Sequence, residues 1–477
     1  MATELYGVDA RLVDSIGTTP VSTETTIIFI GASPSGTLNK PVLITSFSDY
    51  ATKLGGAAND QYNLTEAAIA AFTVANIDKC WMIPVSHSTE FTAADYTGDA
   101  ENETGVYAVE KLLRENPTTV NILCAPSVTD IDVLEALNTV AQKAAGHWQS
   151  FMVFDLPQLS DQINEHLMPQ VDEIVDAKQL ESERTRAVWG SVVTSGGKVI
   201  SGAAVQACLM CVSDANFGVP ARCGGNLSVP SIQSPCVSYK TETTYTHYGA
   251  TSIGSGDAHP TRIEIESGVY VPWNDNAVYT SLVEGCSVVE YEGSVALQKV
   301  GGGSTGYVYP SVKETLGVIQ NIDIPQAIGN QLSADGICSW INYGGGNWHT
   351  WGDHTSAFSS GSISDERGRF DNYMRMQMMI ANRFQLKYRF SIDDPMTLQM
   401  RNDVITEEED FLNSLVAIGA LVGSPKVEFV AADNSIDQVA QGYFTWSIST
   451  TEAPPLKYML AKVAYTQEGL EVFTQEG

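Results

Sequence analysis

Apolar and polar positions alternate along this chain in two periods, and the periods trade places from one end to the other. Thr25-Thr26-Ile27-Ile28-Phe29-Ile30 is a nearly continuous apolar run closed by Gly31 and Pro34, the pattern of a buried strand. Pro41 to Ile44 gives a short second strand, followed by Ser46-Phe47-Ser48-Asp49-Tyr50. Helical spacing over Leu64 to Asn76 then precedes the strand Cys80 to Val85. Helical spacing over Gly105 to Arg114 precedes Val120 to Cys124, and over Asp132 to Ala145 precedes Phe151 to Asp155. Helix and strand in regular alternation predict an α/β layer with a substantially parallel sheet.

From about residue 223 to 325 the residues shift to Ser, Thr, Gly, Tyr and Val, with short alternating runs such as Thr261 to Glu266 and Ser287 to Tyr291. This stretch predicts a β-rich insertion with long loops. Beyond it lies an aromatic-glycine turn from Gly344 to Thr355, then helices from Phe370 and over about 403–422. Alternation returns in Gly442 to Ser449 and in Leu456 to Tyr465, split by Pro454-Pro455. The expected class is therefore mixed α/β in several domains: an inner assembly domain built from both chain ends, with the N-terminal arm and strand over 1–34 and the C-terminal part with its terminal exchange strand over 326–477, a central α/β domain over 35–222, and the outward-facing insertion over 223–325.

The last run is informative in itself. As a strand it places Leu456, Tyr458, Leu460, Lys462 and Ala464 on one face, and Lys457, Met459, Ala461 and Val463 on the other. Pro454 and Pro455 lack backbone donors and so detach it from what precedes. The segment is expected to pair with another molecule.

At 477 residues the chain exceeds one simple core. Its apolar runs fall far short of the roughly 20 residues of a membrane span. The first residues show neither a basic region nor an apolar stretch, so no secretory signal is expected. The formal net charge of −30 opposes a nucleic-acid partner and an anionic membrane surface. It keeps a concentrated protein soluble by mutual repulsion.

Candidate chemistry is sparse. Cys208, Cys211, Cys223 and Cys236 could be spaced as zinc ligands, but the first two lie in an apolar helical run and read as buried free thiols. The glycine run Gly301 to Gly306 lacks the lysine of a phosphate loop. His349 and His354 fall in a Gly/Trp turn rather than on a helix face, and read as surface histidines of a packed turn. No nucleophile elbow occurs. The expectation is a structural protein with no catalytic residues, no metal and no cofactor.

Taken in order, the motifs resemble the tail sheath proteins of contractile phage tails and of phage-tail-like bacteriocins. The likeness rests on Thr25 to Gly31, Leu38-Asn39-Lys40-Pro41, Gly336-Ile337 through Trp351-Gly352-Asp353-His354-Thr355, Asn372-Tyr373-Met374-Arg375, Leu415 to Gly423, and Gly442-Tyr443 to Pro454-Pro455-Leu456. The chain departs from the pattern at His354, where the family has arginine. The resemblance implies a subunit that stacks in hexameric rings around a tail tube, exchanges strands with neighbouring sheath subunits, and contracts to drive the tube through a target cell envelope. The implied partners are those subunits, the tail tube protein, the baseplate and the tail terminator. The implied location is the tail of a virion or tailocin particle, assembled in the bacterial cytoplasm. Leu5, Tyr6, Gly7 and Val8 would form the other exchanged strand. A tube-facing surface would draw on the basic stretch with Arg367, Arg369 and Arg375, or on Glu407, Glu408, Glu409 and Asp410, which are expected to open the second helix. The competing reading is a non-contractile shell or surface-assembly protein.

Overall fold

A computed structural model describes residues 24–143, 148–164, 166, 168–249, 260–266, 269–272, 298–299, 307–308, 312–344, 346–359 and 366–473. They form two compact units, one ending at Thr397 and one beginning at Leu398.

The first unit is organised by an eight-stranded sheet. Its early strands are β1 (Thr25–Ala32), β2 (Val42–Ile44), β3 (Cys80–Ser86), β4 (Val120–Cys124), β5 (Phe151–Asp155) and β6 (Thr185–Val188). The chain then leaves this sheet for β7 (Ser191–Thr194), β8 (Val199–Ile200), β9 (Ile232–Gly249), β10 (Pro260–Glu266), β11 (Val269–Pro272), β12 (Gln298–Lys299), β13 (Tyr307–Val308) and β14 (Val312–Asn321), which make a second sheet around the long β9. It returns with β15 (Ile337–Asn342) and β16 (Trp348–Trp351), giving the main order β16-β15-β6-β5-β4-β1-β3-β2. Strands β3, β1, β4, β5, β6 and β15 run parallel, and the edge strands β2 and β16 antiparallel.

Strand β1 shows why the sheet is covered on both faces. Ile27 and Phe29 join one core and Ile28 and Ile30 the other, as a period of two requires. On the first face pack α1 (Phe47–Leu54), α2 (Asn63–Ile69) with its π-helical continuation Ala70–Val74, α7 (Gly202–Phe217) and the methionines of α9 (Asp371–Tyr388). On the second face pack α3 (Ala93–Thr97), α4 (Ala108–Glu115), α5 (Ile131–Lys143), α6 (Val171–Asp176) and α8 (Gln326–Ala334). Parallel strands buried on both sides are the normal outcome of such crossovers. Helix α7 is apolar nearly all round because it is buried nearly all round. Ser201 caps its start by accepting from the Ala204 amide at 2.9 Å, and Gly218 ends it in the left-handed region.

Several expectations change. Thr25–Ala32, assigned by sequence to an inner assembly domain with the chain's end, lies in the middle of the main sheet between β3 and β4. Ile337–Trp351 joins the same sheet through β6 rather than starting a separate domain. The aromatic-glycine stretch is a hairpin: only Tyr343 to Asn347 turns, and Trp348–Trp351 is an edge strand with Trp348 and Thr350 facing inward. Strand β6 escaped notice because a buried arginine, Arg186, interrupts its apolar run.

The second unit contains α10 (Leu398–Ala417), β17 (Lys426–Glu428), α11 (Ile436–Ala440) and β18 (Ser447–Ser449). Strands β17 and β18 pair antiparallel as a two-stranded sheet. Helix α10 begins and ends about five residues earlier than expected.

Candidate assembly site

The C-terminal ends of the parallel strands are where open α/β sheets usually bind ligands, at the point where the crossovers change face. Here that point lies between β1 and β4, and the chain's own side chains fill it. The Asn63 carboxamide accepts from the Ala32 amide at 2.6 Å and donates to the Pro126 carbonyl at 3.1 Å and to the Tyr96 hydroxyl at 2.7 Å. Gly31 is required for this: a Cβ there would stand 2.5 Å from Asn63 Oδ1. The motif that closes β1 with glycine thus serves packing.

The neighbouring crevice is occupied in the same way. Asp155 receives the Ser127 and Ala203 amides, both at 2.8 Å, and the Ser201 hydroxyl at 2.6 Å. An internal carboxylate therefore sits on the amino end of α7, where an anion would otherwise bind. Glu66 accepts the Ser127 hydroxyl at 2.6 Å and the Ser201 amide at 2.9 Å. Desolvation lifts the Glu66 carboxyl to about 7, and the nearby Asp155 charge adds to the lift while the Ser127 and Ser201 bonds oppose it. Burial also raises Asp155.

The second unit is open where the first is closed. Val404, Glu408, Leu412 and Leu415 form the buried stripe of α10. Phe429, Phe444 and Trp446 make an aromatic cluster with Arg401 over the Phe429 ring at 5.7 Å. The chain after β18 is held by the bridge between Leu421 and Glu452, by the Val422 amide donating to Thr451 at 2.9 Å, and by the Ala453 amide donating to Ala420 at 3.1 Å. Pro454 and Pro455 come next. Residues 454–465 then form no strand or β-bridge. Their large apolar side chains face solvent: Leu456 is 76% exposed, Tyr458 77% and Val463 95%. Leu460, Lys462 and Ala464 are exposed with them. The strand expected over Leu456 to Tyr465 is therefore not formed, because no strand among the described residues lies alongside it. The sheet of β17 and β18, with one ladder only, leaves an outer edge on each strand among the described residues.

The charged candidates separate on inspection. Arg375 is buried, with Nη1 donating to Asp214 Oδ2 at 2.6 Å and Nη2 to the Arg222 carbonyl at 2.7 Å. It cannot face a tube. Its neighbour Arg186 donates to Asp371 at 2.5 Å and to the Gly352 carbonyl, so Gly352, at φ +117°, presents backbone to a buried cation. Glu408 is buried within the α10 stripe and is likewise unavailable. Glu407 to Asp410 lie at the middle of α10 rather than its start, so the helix dipole does not explain them. Glu407 and Asp410 are exposed and Glu409 is half-buried. Arg367 is exposed, and Arg369 makes a surface pair with Glu366 at 2.6 and 2.9 Å. Leu5, Tyr6, Gly7 and Val8 fall outside the described residues.

His354 is buried, not superficial. Its ring stacks on Phe358 at 3.4 Å and on Phe370 at 5.0 Å, and its Nδ1 lies 2.7 Å from the Arg369 carbonyl oxygen. Cys208, Cys223 and Cys236 are buried and Cys211 half-buried, all as free thiols. Cys223 donates to Asn372 at 3.0 Å. Among the described residues no three potential ligands gather for a metal, and no helix is long and apolar enough to cross a membrane.

Comparison with known proteins agrees with this architecture. Residues 6–184 match the DUF2586 N-terminal domain. A tail sheath protein of Burkholderia phage BcepMu is 26% identical over 149 residues, 31% of this chain and 30% of that curated relative. The sheath complex of an extracellular contractile injection system, PVC, in its contracted state superposes with a TM-score of 0.58 at 13% identity, covering 98% of this chain and 99% of the other. The helical sheath of the anti-feeding prophage, also contracted, superposes with a TM-score of 0.58 at 12% identity, covering 98% and 100%. The chain thus has the mixed α/β fold of contractile sheath subunits along nearly its whole length. In sequence it is related to a phage tail sheath protein over about a third of it.

Proposed function

We propose that this chain is a structural, non-catalytic tail sheath subunit that polymerises as stacked hexameric rings around a tail tube and contracts to drive the tube through a target cell envelope. The observation that carries the reading is the apolar Leu456 to Tyr465 segment, exposed after the last tether at Ala453. Leaving some six large apolar side chains in water forgoes on the order of 10 kcal/mol that burial would return. An added strand beside β17 or β18 of a neighbour would recover it, with backbone hydrogen bonds for strength and alternate side chains for register. Leu5 to Val8 would supply the second exchanged strand. Such a mesh keeps neighbouring subunits joined while they rotate and slide.

The remaining partners follow from this reading: the tube protein within, and the baseplate and terminator at the two ends. Arg367, Arg369, Glu407, Glu409 and Asp410 remain as tube-facing candidates. The β strands between residues 232 and 321 would face outward, where an insertion leaves the mesh undisturbed. Assembly in the bacterial cytoplasm and residence in a phage or tailocin tail complete the proposal.

Electron microscopy of the purified chain tests it. Helical tubes or stacked rings are expected, and they should vanish when the chain is cut before Pro454. Closed shells or flat sheets would favour the non-contractile alternative, and a monomer at high concentration would refute both.

A further inference from the structure

We infer that the Asp214 carboxylate is a joint holding the start of β1 and helix α9 as one mechanical piece. Asp214 lies near the end of α7, and its Oδ2 accepts from two sides. Thr25 Oγ1 donates at 2.7 Å and Arg375 Nη1 at 2.6 Å. Thr25 is the first residue of β1, directly after the N-terminal arm. Arg375 lies on α9, from which residues 389–397 lead to the second unit. The two chain segments that carry the proposed exchange strands therefore depart from elements bound to one buried oxygen atom.

The rest of α9 is fastened to the same sheet. Asp371 receives Arg186 at 2.5 Å and the Gly224 amide at 2.9 Å, and Arg375 approaches it at 3.5 Å. Farther along the helix, Asn382 donates to the carbonyls of Thr119 at 3.0 Å and Gln149 at 2.8 Å, and accepts from the Gln149 amide at 3.0 Å. These residues precede β4 and β5, so α9 is pinned at both ends to strand entrances. The charged link from α9 to the start of β1 runs through Asp214, beside the pairing of Thr25 with Val120 of β4 and the Cys211 thiol donating to the Thr25 carbonyl at 3.6 Å. Asp214 Oδ1 and Arg375 Nε are buried without hydrogen-bond partners, so the shared Oδ2 carries the connection. Charge-assisted bonds in a dry interior are strong, and removing one donor leaves the buried carboxylate less satisfied and the position of the other donor less fixed.

The inference uses the sheath reading only to say what the arms do; the joint itself is testable in the free subunit. Thr25→Val removes one hydrogen bond and keeps the ion pair. Hydrogen exchange is expected to quicken about tenfold at the start of β1, the loss of one bond to a charged acceptor, and to quicken also in Asp371–Tyr388. Unchanged exchange in α9 would overturn the proposal, because a merely local role would stop at β1. Arg375→Lys is the reciprocal test and should loosen Thr25 to Ile28. If that variant does not fold, Thr25→Val decides alone. In assembled polymers, Thr25→Val should leave assembly intact but raise the fraction of sheaths that break on contraction above the wild-type level. Wild-type breakage would count against the joint, whereas failure of the wild-type chain to polymerise would count against the sheath reading.

Discussion

Two apolar stretches of similar length meet opposite fates in this molecule. Thr25–Ala32 is sealed between β3 and β4 with both faces buried. Leu456 to Tyr465 has comparable alternation on both faces and stands in solvent. In charge, composition separates them only by two lysines, Lys457 and Lys462, in the second. The first is flanked by helices and strands that return to it, while the second follows two prolines and has no strand beside it among the described residues. In the sheath reading proposed above, a stretch patterned for two-sided burial and left exposed is completed beside a strand of another copy.

The comparison can be broken at several points. Removing residues 454–477 should abolish polymerisation while leaving the far-ultraviolet dichroism and the thermal midpoint of the subunit nearly unchanged; a collapsed midpoint would show that the segment completes its own fold. Phe29→Ala should cost about 3–5 kcal/mol in denaturant unfolding, whereas Tyr458→Ala should change the isolated subunit by less than about 0.5 kcal/mol. Equal costs would erase the distinction.

Charges divide along the same line. Arg375→Met strips a partner from buried Asp214 and should destabilise by about 3–5 kcal/mol. Arg369→Ala removes a surface pair with Glu366 and a cation–π contact over Phe358 at 5.8 Å, and should cost about 1 kcal/mol in the same titration.

Glu66 marks the closed end of the first unit with a pH signature. Its carboxyl titrates near 7 in the fold against an ordinary 4.5, so the folded state holds the proton longer than the unfolded chain. Stability should therefore fall as pH rises from about 4.5 to 7 and level off above. Glu66→Gln should flatten that slope in melts run across the window, leaving the contribution of Asp155 in the same direction. The smallest effect is expected from neutralising Glu407 and Asp410: polymers without tube should form normally, with fewer sheaths seated on tube when both proteins are mixed.

Much of the first unit was legible because its signal is local. Apolar runs bounded by Gly and Pro named β1, β3, β4 and β5, and helical spacing named the helices between them. Strand β6 was hidden by Arg186, whose burial depends on Asp371 far along the chain. The hairpin of β15 and β16 was read as a turn because its glycines and tryptophans mask the alternation at Trp348 and Thr350. The sheet membership of β1 and β15 was not legible for a related reason: it is set by long-range pairing, which composition does not record. At the site, the apolar segment after Pro454-Pro455 was visible in the sequence, but the strand expected there is not formed among the described residues. The buried state of Arg375 and Glu408 was not, since charge in a sequence carries no sign of what encloses it.

Amide exchange across Leu456 to Tyr465, followed in the free subunit and again after polymerisation, addresses the central claim most directly. The account predicts near-unprotected exchange in the subunit and strong protection in the polymer, alternating between edge-facing and outward amides. Protection already present in the free subunit, or none gained on assembly, would contradict it.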